Sequence, residues 1–335
     1  MAHEIEVVDG KAKMIFVGDV PWHGLGTKFE LAPSIEEAIK AAGLDWEVVK
    51  QSLVIKGTDT DVPAVALTRK TDNRILGVVG PDWNPLQNTK AFEFFKPFID
   101  SKQAEINTAG SLKNGQRVFI LAKLNRDPMQ IVGDDIVEKY ILLSNSHDGT
   151  QAIRVGFTPV RVVCANTLAM AHGSNASKLI RVRHTKNMEI SLDKIQDTMN
   201  LANAEFEATA EQYRAMAKTG LNTEDLKRFV KLVFHKAKSE MEKKIVEAGG
   251  VAEESTGGER IFDKIVPLFE KGRGNDMVGV KGTLWAAYNA VTEYIQYERG
   301  NNKETRLDQT WFGQGYILNQ RALEVARTEF LNKAA

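Results

Sequence analysis

The chain has 335 residues, 43% hydrophobic and 26% charged, with 44 basic and 44 acidic side chains and a formal net charge of +0. This is ordinary globular composition with material for about two domains of ~150 residues. It excludes a uniformly basic nucleic-acid coat but permits a local basic patch, and a single cysteine, Cys164, excludes an internal disulfide or a cysteine-rich zinc site.

The N-terminus carries acids and no apolar core segment, so no signal peptide is expected. No apolar run approaches the ~18 residues of a membrane span, so the expected location is the cytoplasm of a host cell with no membrane partner. Residues 20–29 read VPWHGLGTKF. Pro21 fixes the entry, Trp22 offers an apolar anchor, and Gly24 and Gly26 allow positive φ or close backbone approach. With no base or nucleophile placed near His23, the stretch Trp22, His23, Gly24 and Gly26 is a structural turn. It leads into a helix at 32–43, where Ser34 and Glu37 have the spacing of a capping box.

Three strands follow, at 51–57, 62–70 and 74–80, separated by TDTD and TDN. NTKAFEFFKPFID (88–100) then predicts a helix capped by Asn88 or Thr89, with Phe92, Phe95 and Phe98 on one face. Strands resume on either side of KNG, where Asn114-Gly115 predicts a type I′ hairpin. YILLSNS and QAIRVGFTPVRVVC are further strands, and ANTLAMAHG reads as a short helix with Asn166 as cap and Gly173 as its stop. From 188 the apolar period becomes helical, through Leu192, Ile195, Met199, Ala202 and Phe206, up to Gly220. NTED then opens a second amphipathic helix, and further helices follow to the C-terminus. The fold class is therefore α+β: a mainly antiparallel N-terminal sheet with a β-β-β-α unit and short helices, then a C-terminal helical region. The natural cut gives 1–187 as core domain and 188–335 as helical region; the alternative packs these helices on the sheet as one α+β unit.

No P-loop, metalloprotease helix, CxxC pair, nucleophile elbow or EF-hand loop is present. His3, His23, His147, His172, His184 and His235 show no metal-like spacing, and neither a metal nor a cofactor is expected. Ser144, Asn145, Ser146, His147, Asp148 and Gly149 hold the residue types of a catalytic triad. Triad members, however, meet in space rather than in sequence, and this run reads as a turn between strands.

Residues 151–188 contain Arg154, Arg161, Lys178, Arg181, Arg183 and Lys186, and no Asp or Glu. In a neutral chain such a segment is a local positive field whose usual partner is a phosphate backbone. The competing reading is an edge strand guarded by charge against aggregation. Trp83 or Phe157 could stack on bases or belong to the core. Trp285, Tyr288, Tyr294, Tyr297, Trp311, Phe312 and Tyr316 form a dense aromatic set that reads as core or subunit interface.

Taken together, PWHGLGT, VVGPDWNPLQN, AGSLKNGQRVFILAKL, LLSNSHDGTQA, TPVRVVCANTL and the C-terminal GTLWAAYNAVTEYIQYERG…WFGQGYILNQRAL resemble the phage/plasmid-like protein family, domain of unknown function nine-three-two, from about residue 15 to 330. The resemblance carries no catalytic residue. It implies a role in mobile DNA: replication, recombination or evasion of host defence. The order β-β-β-α at 51–100 is also similar to the core of phage and eukaryotic single-strand annealing proteins, which assemble into rings or filaments around DNA without hydrolysing nucleotide. The expectation is a non-enzymatic, oligomeric protein that binds single-stranded DNA through Arg154, Arg161, Lys178, Arg181, Arg183 and Lys186, acting in annealing or recombination. The alternatives are an accessory or anti-defence factor that docks a host protein on its aromatic C-terminal surface, and a hydrolase using His23 or His147.

Overall fold

The computed structural model describes residues 5–18, 25–161, 166–167, 180–188, 191–192, 203–234, 257–300, 309–311 and 313–332. Among them the chain folds as α+β. Its largest sheet has nine strands. Its main path joins β3 (Met14–Val17), β4 (Thr27–Phe29), β8 (Ala104–Leu112), β9 (Arg117–Leu124), β11 (Asp135–Ser146), β12 (Ile153–Arg161) and β13 (Asn166–Thr167) in the order β13-β12-β11-β9-β8-β3-β4. β10 (Met129–Val132) adds to β11, and β14 (Ile180–Val182) adds to β12. All pairs are antiparallel except β3 with β4. A hairpin of β1 (Val7–Val8) and β2 (Lys11–Ala12) stands apart, as does a three-stranded sheet of β5 (Val48–Val54), β6 (Asp61–Arg69) and β7 (Arg74–Val79).

The run VFILA (118–122) within β9 is continuously apolar because both faces of the sheet are covered there. Val118, Ile120 and Ala122 enter the main core, while Phe119 and Leu121 enter a second, smaller one with Met14, Tyr140, Leu142 and Trp311. Each buried Val, Ile, Leu, Phe or Met side chain contributes roughly 1.5–3 kcal/mol.

Helix α1 (Ile35–Ala41) starts at the predicted capping box: Glu37 N–H donates to Ser34 Oγ at 3.2 Å and Ser34 N–H to Glu37 Oε2 at 2.9 Å. The segment 88–100 forms two short helices, α2 (Asn88–Glu93) and α3 (Lys96–Asp100), with Pro97 in the first turn of the second. Phe92, Phe95 and Phe98 are buried as expected. The cap is not: Gln87 holds that position with no side-chain bond, and Asn88 is buried and committed elsewhere. At KNG, Asn114 and Gly115 do take positive φ, at 55° and 91°. Lys113 takes it too, and Leu112 pairs with Arg117, so the connection is a four-residue loop rather than the two-residue type I′ turn. Asn166 lies in β13 opposite Arg161, where the sequence predicted a helix cap; residues 168–179 lie outside those described.

The C-terminal helices are α4 (Asn203–Lys218), α5 (Thr223–Phe234), α6 (Gly257–Lys271), α7 (Leu284–Glu293) and α8 (Gln314–Val325). Asn222 caps α5 by accepting from the Asp225 N–H at 2.8 Å. These helices pack on the sheet. Phe206 meets Phe157 edge-on at 5.1 Å, Trp285 Nε1–H donates to buried Asp135 at 2.7 Å, and one apolar cluster runs from Ile15 through Phe157, Tyr213 and Trp285 to Ala326.

Candidate nucleic-acid interface

Period-two geometry sorts the polar end of β11 onto two faces. Asn145 and His147 point into the main core. His147 is fully buried and its Nε2–H donates to Asn88 Oδ1 at 3.0 Å, with Trp46 edge-on at 5.3 Å. Asn88 Nδ2 donates to the Leu44 carbonyl at 3.1 Å, and Asn145 Nδ2 to the Leu86 carbonyl at 2.8 Å. Burial, then the neighbouring His184, pushes the His147 pKa down to about 3. The ring is therefore neutral and enclosed by packed side chains. The run read from sequence as a turn is in fact the buried end of a strand as far as Ser146; the chain bends only from His147 to Gln151.

Ser144 and Ser146 face the other side, and there the cations gather. Ser144 pairs with Arg154 of β12, Ser146 pairs with Arg117 of β9, and Arg154 in turn pairs directly with Arg181 of β14. Arg117 is 7% exposed, Arg154 is half-buried and Arg181 is exposed. Burial, then the charges of Arg181 and Arg117, lowers the Arg154 pKa, so Arg154 lies within reach of both other guanidiniums. The Gln151 amide, assigned with its oxygen toward Arg117, accepts from Nη1 at 3.1 Å and Nη2 at 2.9 Å. Arg117 Nη2 also reaches Thr150 Oγ1 at 3.4 Å.

Asp148 is the acid of this cluster. Burial would raise its carboxyl, but bonds from the Ser146 and Thr150 hydroxyls and the Thr150 N–H, with the Arg117 charge, hold it below the usual carboxylate range. Its loop is fixed by contact: a Cβ at Gly77 would lie 2.7 Å from the Asp148 Cα. At the far end of the same face the charges are matched instead, Lys123 to Glu138 at 2.7 Å.

Beyond β14 the basic segment is pinned to the loop after β7. His184 stacks on Trp83 with centroids 4.1 Å apart, its Nδ1 meets the Asn84 carbonyl at 3.0 Å, and Asn84 N–H donates to the His184 carbonyl at 3.0 Å. Burial pushes the His184 pKa down to about 4, against the Asn84 bond. Arg183 and Lys186, on either side, are exposed.

Of the six predicted phosphate contacts, Arg154, Arg181, Arg183 and Lys186 thus lie on or beside one sheet edge. Arg161 sits in β12 opposite Asn166, seven positions along the strand from Arg154. Lys178 lies outside the described residues, as do Trp22, His23 and Gly24 of the N-terminal turn. Gly26 is described: its φ is +114°, and a Cβ there would lie 3.1 Å from the Met14 carbonyl oxygen, so the close approach expected of it is present. Sequence reasoning missed Arg117, Thr150 and Tyr316, whose phenol lies near enough to Arg154 to act on its charge. The one signal for Arg117 was a cation directly before the apolar run VFILA of its strand. Of the predicted aromatic set, Trp285 and Tyr288 are fully buried and Tyr294 and Trp311 nearly so, which makes these four core; Tyr297 and Tyr316 are half-buried, and Phe312 lies outside the described residues. No group of three or more His, Cys, Asp or Glu able to hold a metal occurs among the described residues, and no described helix is long and apolar enough to cross a membrane.

A family model, Domain of unknown function (DUF932), matches residues 75–323. No curated protein and no solved structure matches the chain.

Proposed function

The chain belongs to the DUF932 family, and from that premise we propose that it is a non-enzymatic, oligomeric protein that binds single-stranded DNA, acting in strand annealing or recombination on a phage or other mobile element. The observation that carries this reading is the pairing of Arg154 with Arg181 across neighbouring strands, with Arg117 beside them. Like charges directly opposite each other in a sheet are destabilising. A polyanion laid across the sheet edge turns that cost into attraction, and Arg183 and Lys186 extend the track. Such contacts give affinity without base preference. Further support for annealing is the element order β5-β6-β7-α2, an analogy of topology.

The accessory-factor reading relied on an aromatic C-terminal surface; Trp285, Tyr288, Tyr294 and Trp311 are buried, which leaves the half-buried Tyr297 and Tyr316 as its described aromatics. The hydrolase reading at His147 meets a residue sealed in the core.

The test is binding of an unstructured DNA oligonucleotide by the full chain across a salt series. Affinity should fall steeply with salt, and Arg181→Ala with Arg183→Ala should flatten the slope of log K against log salt by roughly 1.4, at ~0.7 per phosphate contact. Binding that ignores salt, or no binding at low salt, overturns the proposal. Light scattering with and without the oligonucleotide reads the assembly; a monomer in both overturns the oligomeric part.

A further inference from the structure

The three-stranded sheet has one closed edge and one open edge. Along β7, Gln116 Nε2–H donates to the Leu76 carbonyl at 3.0 Å, and Asp148 and Gly149 lie against Gly77 and Val79. Along β5, the Gln87 side chain takes the place of a neighbouring strand at Val48. Its Oε1 accepts from the Val48 N–H and its Nε2–H donates to the Val48 carbonyl, both at 2.9 Å. Val48 therefore points its backbone groups away from β6, and by alternation so do Lys50 and Ser52. The bulge beyond Ser52 falls in β6, which also holds Pro63, so β5 itself stays regular. Ile55 N–H bonds back to the Thr60 carbonyl, so Val54 again points outward. Lys50, Ser52 and Val54 are exposed, Val54 at 59% and the following Ile55 at 51%. Edge strands are commonly blunted by proline, a bulge or charge. Here the proline and the bulge sit one strand inward, and the one charge of β5, Lys50, is bonded to the Pro81 carbonyl at 2.9 Å.

We infer that the β5 edge pairs antiparallel with the β5 edge of a second copy of this chain, about a two-fold axis through Ser52. The open positions fix the register. Gln87 closes the edge at Val48, and the chain turns after Ile55, where Thr58 N–H bonds to the Ile55 carbonyl. Between these stops, the pairing that uses every open position sets Lys50 opposite Val54 of the second copy, Ser52 opposite Ser52, and Val54 opposite Lys50. No like charges then face each other, and each lysine stem covers an exposed valine. The position opposite Val48 falls at Lys56, where the chain is already turning. A strand from another protein would need only the backbone row; the match of these side chains across the axis is what selects a second copy. One surface patch meeting itself also gives a closed dimer rather than a filament. A short strand pair buries less than a standard interface, so the expected dissociation constant is about 1–100 μM. The inference rests on the oligomeric part of the proposed function and is independent of the basic edge.

The experiment is sedimentation equilibrium of the full chain over a concentration series, with and without an unstructured DNA oligonucleotide. Without DNA the wild type should dimerise. Ser52→Pro removes an outward N–H while sparing the β5–β6 ladder, and should abolish the dimer. Val54→Lys sets a lysine opposite Lys50 at both ends of the pairing and should raise the dissociation constant about tenfold. Adding Lys50→Glu to Val54→Lys makes the opposed charges unlike and should restore the dimer, a rescue that neither misfolding nor another interface can produce. A chain that stays monomeric at every concentration without DNA overturns the inference and leaves the edge to a strand from another protein; if that chain assembles on the oligonucleotide, the oligomeric reading stands. A dimer that Ser52→Pro and Val54→Lys leave unchanged also overturns the inference while leaving the oligomeric reading intact. A dimer that dissociates and recovers as stated, in a chain that binds no oligonucleotide, supports the edge and overturns the DNA-binding reading instead.

Discussion

Arg154 and Arg181 are cross-strand partners on neighbouring strands of the large sheet, two guanidinium residues set directly opposite each other. For folding alone this placement is unfavourable, and that makes its consequences measurable.

Replacing Arg181 with Gln should stabilise the free protein by ~0.2–1 kcal/mol, because it relieves the like-charge pair on an exposed side chain. The same change should weaken binding to a DNA oligonucleotide. A urea midpoint and a binding isotherm on one variant read both effects. A loss of stability together with unchanged binding would contradict the role given to this pair.

The Asp148 loop depends on Gly77. An added methyl group would lie 2.7 Å from the Asp148 Cα, which is backbone and cannot swing aside. Gly77→Ala should therefore cost about 1–3 kcal/mol and should also lower oligonucleotide affinity, because Thr150 and Gln151 lose their hold on Arg117. Thermal melts and anisotropy titrations check the two effects together.

Glu6 and Arg69 form a buried ion pair at 2.7 Å, with side-chain exposures of 1% and 6%. Ser111 Oγ–H donates to the second Glu6 oxygen at 2.9 Å, Arg69 also pairs with Asp72 at 3.0 Å, and its guanidinium lies 5.1 Å over Trp46. Glu6→Ala removes the buried partner of Arg69 and leaves it only the half-exposed Asp72, which should cost roughly 3 kcal/mol, the low end for a broken buried pair. Glu6→Ala combined with Arg69→Met should cost less than Glu6→Ala alone, which a double-mutant cycle in urea would reveal.

Both buried histidines make stability depend on pH. Their folded pKa values, about 3 for His147 and about 4 for His184, lie below the unfolded value. The unfolded chain thus takes up these protons first. Stability is complete above about pH 6.5 and is lost as the pH falls toward the folded values. Between pH 6.5 and 5 each histidine contributes up to ~1.4 kcal/mol per pH unit, and His147→Gln should remove about half of the slope. An unchanged slope in that variant would show that His147 is not the buried neutral ring described above.

Local patterns survived the passage from sequence to structure wherever their cause is itself local. The Ser34–Glu37 capping box, the three strands before α2, the phenylalanine face of 88–100 and the acid-free stretch 151–188 depend on residues a few positions apart. The same locality explains the misreadings. Asn88 has the chemistry of a cap, but its amide is drawn to the Leu44 carbonyl and to His147, 59 positions away. Ser144 to Ser146 have turn chemistry, yet sheet pairing on both sides holds them extended.

The sequence by itself determined the fold class, the family signature and the sign of the charge in the basic segment, because composition, periodicity and motif are written along the chain. Only the tertiary structure decided that Arg117 and Tyr316, 37 positions before and 162 after Arg154, share its surroundings. It also decided which serines of β11 face the arginines, and that Trp285 and Tyr288 are core. The physical reason is register: the pairing of strands far apart in sequence selects the face on which each side chain emerges, and a shift of one residue would send every one of them to the other side.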